Sequence, residues 1–199
     1  MTENILTDRF EDALLFATRL HASQLRKRSD VPYIAHLLGV TSLVLEDGGT
    51  EDEAIAALLH DAVEDQGGLE TLEEIRLRFG EPVAGIVLAM SDSHSVPKPP
   101  WRERKEAYIN SIRSASPSAI RVSLADKIYN ARATLQDIRR EGEAAWDKFN
   151  GGKDGTLWYY EQLILAFKGR GMSPLLAELI KTVDQLKVLS DHSLSDGPG

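Results

Sequence analysis

The sequence predicts an all-α fold, and three features of its punctuation predict it. Asp8 with Glu11, Thr50 with Glu53 and Thr71 with Glu74 have the spacing of reciprocal helix caps, each ahead of a periodic apolar run. Ser116-Pro117 and Ser173-Pro174 mark two more starts, because proline in a first helical turn gives up no hydrogen bond. Gly48-Gly49, Gly67-Gly68 and Gly80 stand where helices would end, and no segment shows the β-branched alternation around a two-residue turn that marks a hairpin.

Taken in order, these signals define about nine helices. The first, 8–28, opens at Asp8, and 33–46 follows Pro32 and ends before the Gly48-Gly49 pair. Thr50 opens 51–65, Thr71 opens 72–79, and 82–91 follows Gly80. A stiff Pro-rich connector, SHSVPKPP at 93–100, precedes 101–115, and Ser116-Pro117 opens 117–140. The polar stretch NGGKDG at 150–155 is expected to be a flexible loop before 156–168, and Ser173-Pro174 opens 174–190. No linker or repeat divides the chain, so residues 1–192 are expected to form one domain with a fraying tail over 193–199.

Composition narrows the function. A chain of 199 residues, 42% hydrophobic and 27% charged, can bury a substantial core. Its net charge of −8 and pI near 5.2 argue against a DNA- or RNA-binding surface and leave a small-molecule partner, with a local basic pocket for an anion still open. The absence of Cys removes disulfides, thiolate metal sites and a Cys nucleophile, so any metal must use His and carboxylates. MTENILTDRFEDALLF has no basic n-region ahead of a long apolar run, and no segment has the length of a membrane span. The expected setting is the cytoplasm, away from membranes; composition says nothing of oligomeric state.

The stretch ALLHDAVEDQGG, residues 57–68, carries the chemistry. Ile55, Ala56, Leu58, Leu59, Ala62 and Val63 make this helix apolar over most of its circumference, yet it ends in His60, Asp61, Glu64 and Asp65. His60 with Glu64, and Asp61 with Asp65, are four apart and so share one patch. Acidic groups at a helix C-terminus oppose the helix dipole, and carboxylates against an apolar surface are costly without partners. A cation or a watery cavity would resolve the cost; a solvated helix end is the plainer alternative. Two further segments bear on the choice. In PYIAH, His36 lies in the first turn of a helix, either as a satisfied core residue or as a ligand. In RVSLADKIYNAR, Asp126 and Asn130 face the same way on a buried helix, where Asp126 could also pair with Arg121, Lys127 or Arg132.

Together, His36, His60-Asp61 and Asp126 resemble the H...HD...D signature of the HD-domain phosphohydrolases, a helical superfamily that holds a divalent cation. More closely, ATRLHASQLRK, PYIAH, AALLHDAVEDQ, TLEEIRLRFGEPVAGIV and RVSLADKIYNAR, from about residue 13 to 135, look like the hydrolase domain of the RelA/SpoT family. That family removes the 3′-pyrophosphate of ppGpp and pppGpp. NGGKDGTLWYYEQLILAFK is more similar to the small stand-alone members, including metazoan SpoT homologues, than to the long bifunctional enzymes.

The resemblance implies a single HD hydrolase domain with His36, His60, Asp61 and Asp126 as metal ligands and Mn²⁺ as the usual cation, although such mixed ligands also admit Zn²⁺ or Fe²⁺. It implies Glu64 and Asp65 as the acidic pair acting on the attacking water, in an undecided division of labour, and Asn130 as a nucleotide contact. Arg26 and Lys27 match the family's RK pair, with one extra residue before PYIAH. Arg104 and Lys105, in WRERKEAY, are candidates for meeting pyrophosphate charge, or else a solvated helix face. Leu37 replaces a common Pro, Ala62 a Val, Gln66 a Thr, and KIYN stands for RLHN. His21, His94 and His192 are expected outside the site, Trp146, Phe149, Trp158, Tyr159 and Tyr160 in core packing, and Lys153 is a weaker phosphate candidate. The implied activity is ppGpp hydrolysis to GDP and pyrophosphate. The alternatives are hydrolysis of another nucleotide, such as NADPH at its 2′-phosphate, a deoxynucleotide or a cyclic nucleotide, or a non-catalytic alarmone-binding module.

Overall fold

The structure, a computed structural model, describes residues 6–91 and 99–192. Most of the Pro-rich connector, His94 and the 193–199 tail lie outside the described residues. Among the described residues there are ten α-helices, two 3₁₀ segments and no strand, as the all-α expectation has it. Two compact units can be distinguished: Met1–Pro99 with Ser114–Ala125, and Pro100–Arg113 with Asp126–Gly199.

The first unit is built on helix α3 (Glu51–Leu59), which packs against α1 (Asp8–Leu20), α2 (Ile34–Glu46) and α6 (Glu81–Met90). Ala54 through Leu59 are without exception fully buried, so this helix is surrounded by neighbours and needs no polar face. Thr50 caps it reciprocally with Glu53, as the spacing predicts. Helix α5 (Gly68–Phe79) packs against α6 and the short α4 (Ala62–Asp65).

Three expectations in this unit need correction. Helix α1 is capped by Thr7 rather than Asp8, through the Arg9 amide, and it ends at Leu20 instead of running to 28. Beyond it, Leu25 and Pro32 form an antiparallel bridge around Arg28, whose φ of 54° no helix accommodates. The helix over 51–65 is interrupted by a turn at His60-Asp61, where the imidazole takes up a backbone carbonyl. Helix α5 starts at Gly68, because the Thr71 hydroxyl donates to the Gln66 carbonyl at 2.7 Å and does not cap. Gly67, at φ 120°, lets the chain turn there; a Cβ on it would lie 2.6 Å from Thr71 Oγ1.

The first part of helix α8 (Pro117–Glu141) belongs to this unit, and Ser116 opens it by accepting from the Ala119 amide at 3.2 Å. From α8, Arg121 donates to Asp47 through Nε at 2.9 Å and to both oxygens of buried Glu53 through Nη1 at 2.9 and 2.7 Å. Burial works to raise the Glu53 pKa, but the Thr50 amide, Ser118 and Arg121 outweigh it and hold the carboxyl below its usual range.

In the second unit, α9 (Gly152–Lys168) packs against α7 (Trp101–Ser111) and α10 (Pro174–His192). The NGGKDG stretch is not a loop: α9 starts within it. A Cβ on Gly151 would fall 2.8 Å from the Trp101 ring and one on Gly155 3.3 Å from it, so the missing side chains make the seat for an indole. The gain in packing fixes a segment whose composition alone predicts mobility.

Replacing Arg121 with Ala is expected to lower the unfolding free energy by about 1–3 kcal/mol at neutral pH, by leaving buried Glu53 without its cation. Because the folded-state pKa of Glu53 is depressed, its stabilisation is present above the usual carboxylate range and is lost as pH falls through the folded value. The variant and native curves in urea titrations should therefore converge in acid. A difference below about 0.5 kcal/mol at neutral pH would contradict this role.

Candidate functional site

His60 follows the wholly apolar run of α3 and is itself 2% exposed. Its Nδ1 donates to the Ala57 carbonyl at 2.8 Å, one of the acceptors that a helix end leaves available. With that proton committed, neutral His60 carries its lone pair on Nε2. This Nε2 lies 3.2 Å from Nε2 of buried His36 and 2.9 Å from Asp61 Oδ2, and His36 Nε2 lies 3.3 Å from the same oxygen. The Tyr33 hydroxyl donates to that oxygen at 2.6 Å. Burial disfavours the Asp61 carboxylate, but His60 and His36 beside it prevail and lower its pKa well below the usual range.

Buried Asp126 follows Ala125 directly on α8, its Oδ1 accepting from Asn130 Nδ2 at 2.6 Å and its Oδ2 paired with Lys127 Nζ at 2.5 Å. His36 and His60 both belong to the first unit, whereas Asp126 is the first residue of the α8 portion that belongs to the second. Within the first unit, two imidazoles with converging Nε2 atoms, one ring already oriented by a backbone carbonyl, and the Asp61 carboxylate against both are donors of the kind a divalent cation takes.

The other expected residues are placed as follows. Glu64 is half-buried on α4, and Asp65 is exposed, its Oδ2 accepting from Gln24 Nε2 at 2.8 Å. Arg26 and Lys27 lie on the bridged loop before α2, where the Arg26 amide donates to the Val31 carbonyl at 2.9 Å. In the second unit, Arg104 and Lys105 are half-buried on α7, and Lys105 Nζ stands 5.0 Å from the Tyr159 ring centre. Asn130 orients Asp126. Lys153 is committed elsewhere, donating to the Ser190 carbonyl at 2.6 Å and to Glu143 at 3.1 Å, which removes it as a phosphate contact. Trp146, Tyr159 and Tyr160 are buried in packing. Lys127 stays charged: burial lowers its pKa, but Asp126 and the Tyr159 and Tyr108 rings around it raise it well above the usual value.

Sequence reasoning missed Tyr33, Gln24 and Gln66 as parts of this region. Gln24 Oε1 accepts from Gln66 Nε2 at 2.5 Å, joining the loop before α2 to the end of α4. A weak signal was available, since Tyr33 precedes His36 by three and Gln24 follows His21 by three, spacings that bring side chains together on a turn.

Known proteins are similar to this chain. The HD domain family model matches residues 13–157. The guanosine-3′,5′-bis(diphosphate) 3′-pyrophosphohydrolase MESH1 of Xenopus tropicalis is 40% identical over 140 residues, 69% of this chain and 73% of that protein. The protein of the same name from Homo sapiens is 35% identical over 174 residues, 85% of this chain and 89% of its own length. Among solved structures, a metazoan orthologue of SpoT that hydrolyses ppGpp superposes with a TM-score of 0.74 at 26% identity, covering 90% of this chain and 96% of that one.

A divalent cation held by these imidazoles should stabilise the fold. At a hundredfold excess over its dissociation constant it adds about 2.7 kcal/mol, read as a rise in the thermal midpoint when Mn²⁺ is added to metal-stripped protein. His60→Ala should abolish that rise; an equal rise in the variant would remove His60 from the site.

Proposed function

We propose that this chain, which belongs to the HD-domain family, hydrolyses the 3′-pyrophosphate of guanosine 3′,5′-bisdiphosphate (ppGpp or pppGpp), giving GDP or GTP and pyrophosphate. The observation that carries the reading is the buried pair of imidazoles with converging Nε2 atoms, followed one turn later by Glu64 and Asp65. It stands in a chain similar, over most of its length, to proteins named for this hydrolysis. The family match takes in residues of both compact units, which supports treating residues 1–192 as one hydrolase domain.

His36, His60, Asp61 and Asp126 would hold the cation, with Mn²⁺ as the proposed ion and Zn²⁺ or Fe²⁺ as alternatives that the same ligands admit. When bound, it supplies positive charge against a phosphoryl oxygen and acidifies water. Glu64, one turn after His60, takes the proton from the attacking water, and Asp65, whose Oδ2 accepts from Gln24, serves to orient it. The water oxygen bonds to the phosphorus as the bond from that phosphorus to the ribose 3′ oxygen breaks, and the 3′ oxygen leaves as a hydroxyl after taking a proton. Tyr33 keeps the Asp61 carboxylate aimed at the two imidazoles, and Asn130 and Lys127 do the same for Asp126. Arg26, Lys27, Arg104 and Lys105 supply charge for the substrate phosphates, and Asn130 also meets the nucleotide. A cytoplasmic setting is proposed on the cysteine-free composition. Among the described residues no helix is long and apolar enough to cross a membrane.

Purified, metal-stripped protein given ppGpp or NADPH, with and without Mn²⁺, decides the reading by chromatography of the products. GDP and pyrophosphate formed only with metal are expected. Phosphate from NADPH alone, or no product with metal bound, would overturn it. Glu64→Gln should lower kcat by about 10²–10⁴-fold while metal binding persists; unchanged turnover would discard Glu64 as the base.

A further inference from the structure

His21, just past the end of α1, is 2% exposed and lies outside the ligand set, yet three of its contacts lead toward it. Its ring stacks on Tyr33 with centres 5.2 Å apart and planes 21° from parallel. Its Nδ1 is 2.7 Å from Gln24 Oε1, and its carbonyl accepts from the Gln24 amide at 3.0 Å. Gln24 in turn accepts, at its own carbonyl, from the Tyr33 amide at 2.9 Å.

The chemistry of the Gln24 side chain fixes the protons. A carboxylate only accepts, so the end of the amide facing Asp65 Oδ2 must be its NH₂. The other end is therefore the carbonyl, which accepts from Gln66 Nε2 and can meet His21 Nδ1 only if that nitrogen carries hydrogen. His21 Nε2, buried and without a hydrogen-bond partner, is then the unprotonated nitrogen. Without the His21 donor, the Gln24 carbonyl oxygen would keep only the bond from Gln66, and the amide would be held toward Asp65 by one contact fewer.

We propose that His21 is a positioning residue: through Gln24 it orients the Asp65 carboxylate for the attack on phosphorus, while its stacking on Tyr33 sets the plane of its ring. The functional half of this statement rests on the hydrolase reading above; the hydrogen-bonded path does not.

Two variants separate the donor from the ring. His21→Phe keeps a ring beside Tyr33 and removes the donor, whereas His21→Asn keeps an N–H where Nδ1 stands. With ppGpp and saturating Mn²⁺, His21→Phe and Gln24→Ala should each lower kcat about 10-fold with KM within about twofold, and their combination should lose no more than either alone. His21→Asn should recover kcat to within about threefold of the native protein. Losses that multiply to about 100-fold in the double variant, or a His21→Phe loss under about twofold, would overturn the proposal. A measurement on the native protein covers the case in which His21→Phe does not fold: ¹⁵N spectra should show the His21 ring protonated on Nδ1, and protonation on Nε2 alone would overturn the path. Native protein that turns over no ppGpp with metal bound would defeat the hydrolase reading, while the ring spectrum still decides the path from His21 to Asp65.

Discussion

The hydrogen bond from His60 Nδ1 to the Ala57 carbonyl constrains everything around it. It commits the only ring proton of a neutral imidazole to the backbone and turns the other nitrogen, with its lone pair, toward His36 and Asp61. It also coincides with the interruption of the helix, the His60-Asp61 turn that separates α3 from α4. A buried donor, a helix end and a ligand orientation are thus consequences of one contact. The apolar surround of α3 makes the arrangement rigid, since no side chain from Ala54 to Leu59 has room to rotate into water.

Around this bond, polar side chains are held by dedicated partners. Tyr33 holds Asp61, Lys127 and Asn130 hold Asp126, Gln24 holds Asp65, and Arg121 holds Glu53. Each restrains a carboxylate that would otherwise turn toward solvent or leave a buried charge without a partner. Arg121 ties the start of α8 to the cap of α3, and Asp126 follows farther along the same helix. Within the first unit, the pairing that neutralises buried Glu53 is also the one that joins α8 to α3.

What could be seen in the sequence was what depends on near neighbours. Thr50 with Glu53, Ser116-Pro117 and Ser173-Pro174 start helices where expected because caps act within four residues. The helix after Phe149 began early, because only the Trp101 ring, far along the chain, explains why Gly151 and Gly155 are small. Thr71 misled for the same reason: its hydroxyl serves the turn before α5 and not the cap. His36, His60 and Asp126 could be singled out because buried ionisable side chains on apolar helices stand out in the sequence. Gln24, Gln66 and Tyr33 were not, since an amide or a phenol looks ordinary until the fold sets it against a carboxylate 28 or 41 positions away or, for Gln66, against another amide 42 away.

The claim on which the account rests is that the two facing Nε2 atoms exist to bind a cation. Crystals grown with Mn²⁺ and measured at the manganese absorption edge would test it most directly. The account predicts an anomalous peak bonded to Nε2 of both His36 and His60, with His60 Nδ1 still on the Ala57 carbonyl. A peak elsewhere, ligation through His60 Nδ1, or a cluster that binds no manganese at saturating concentration would contradict it.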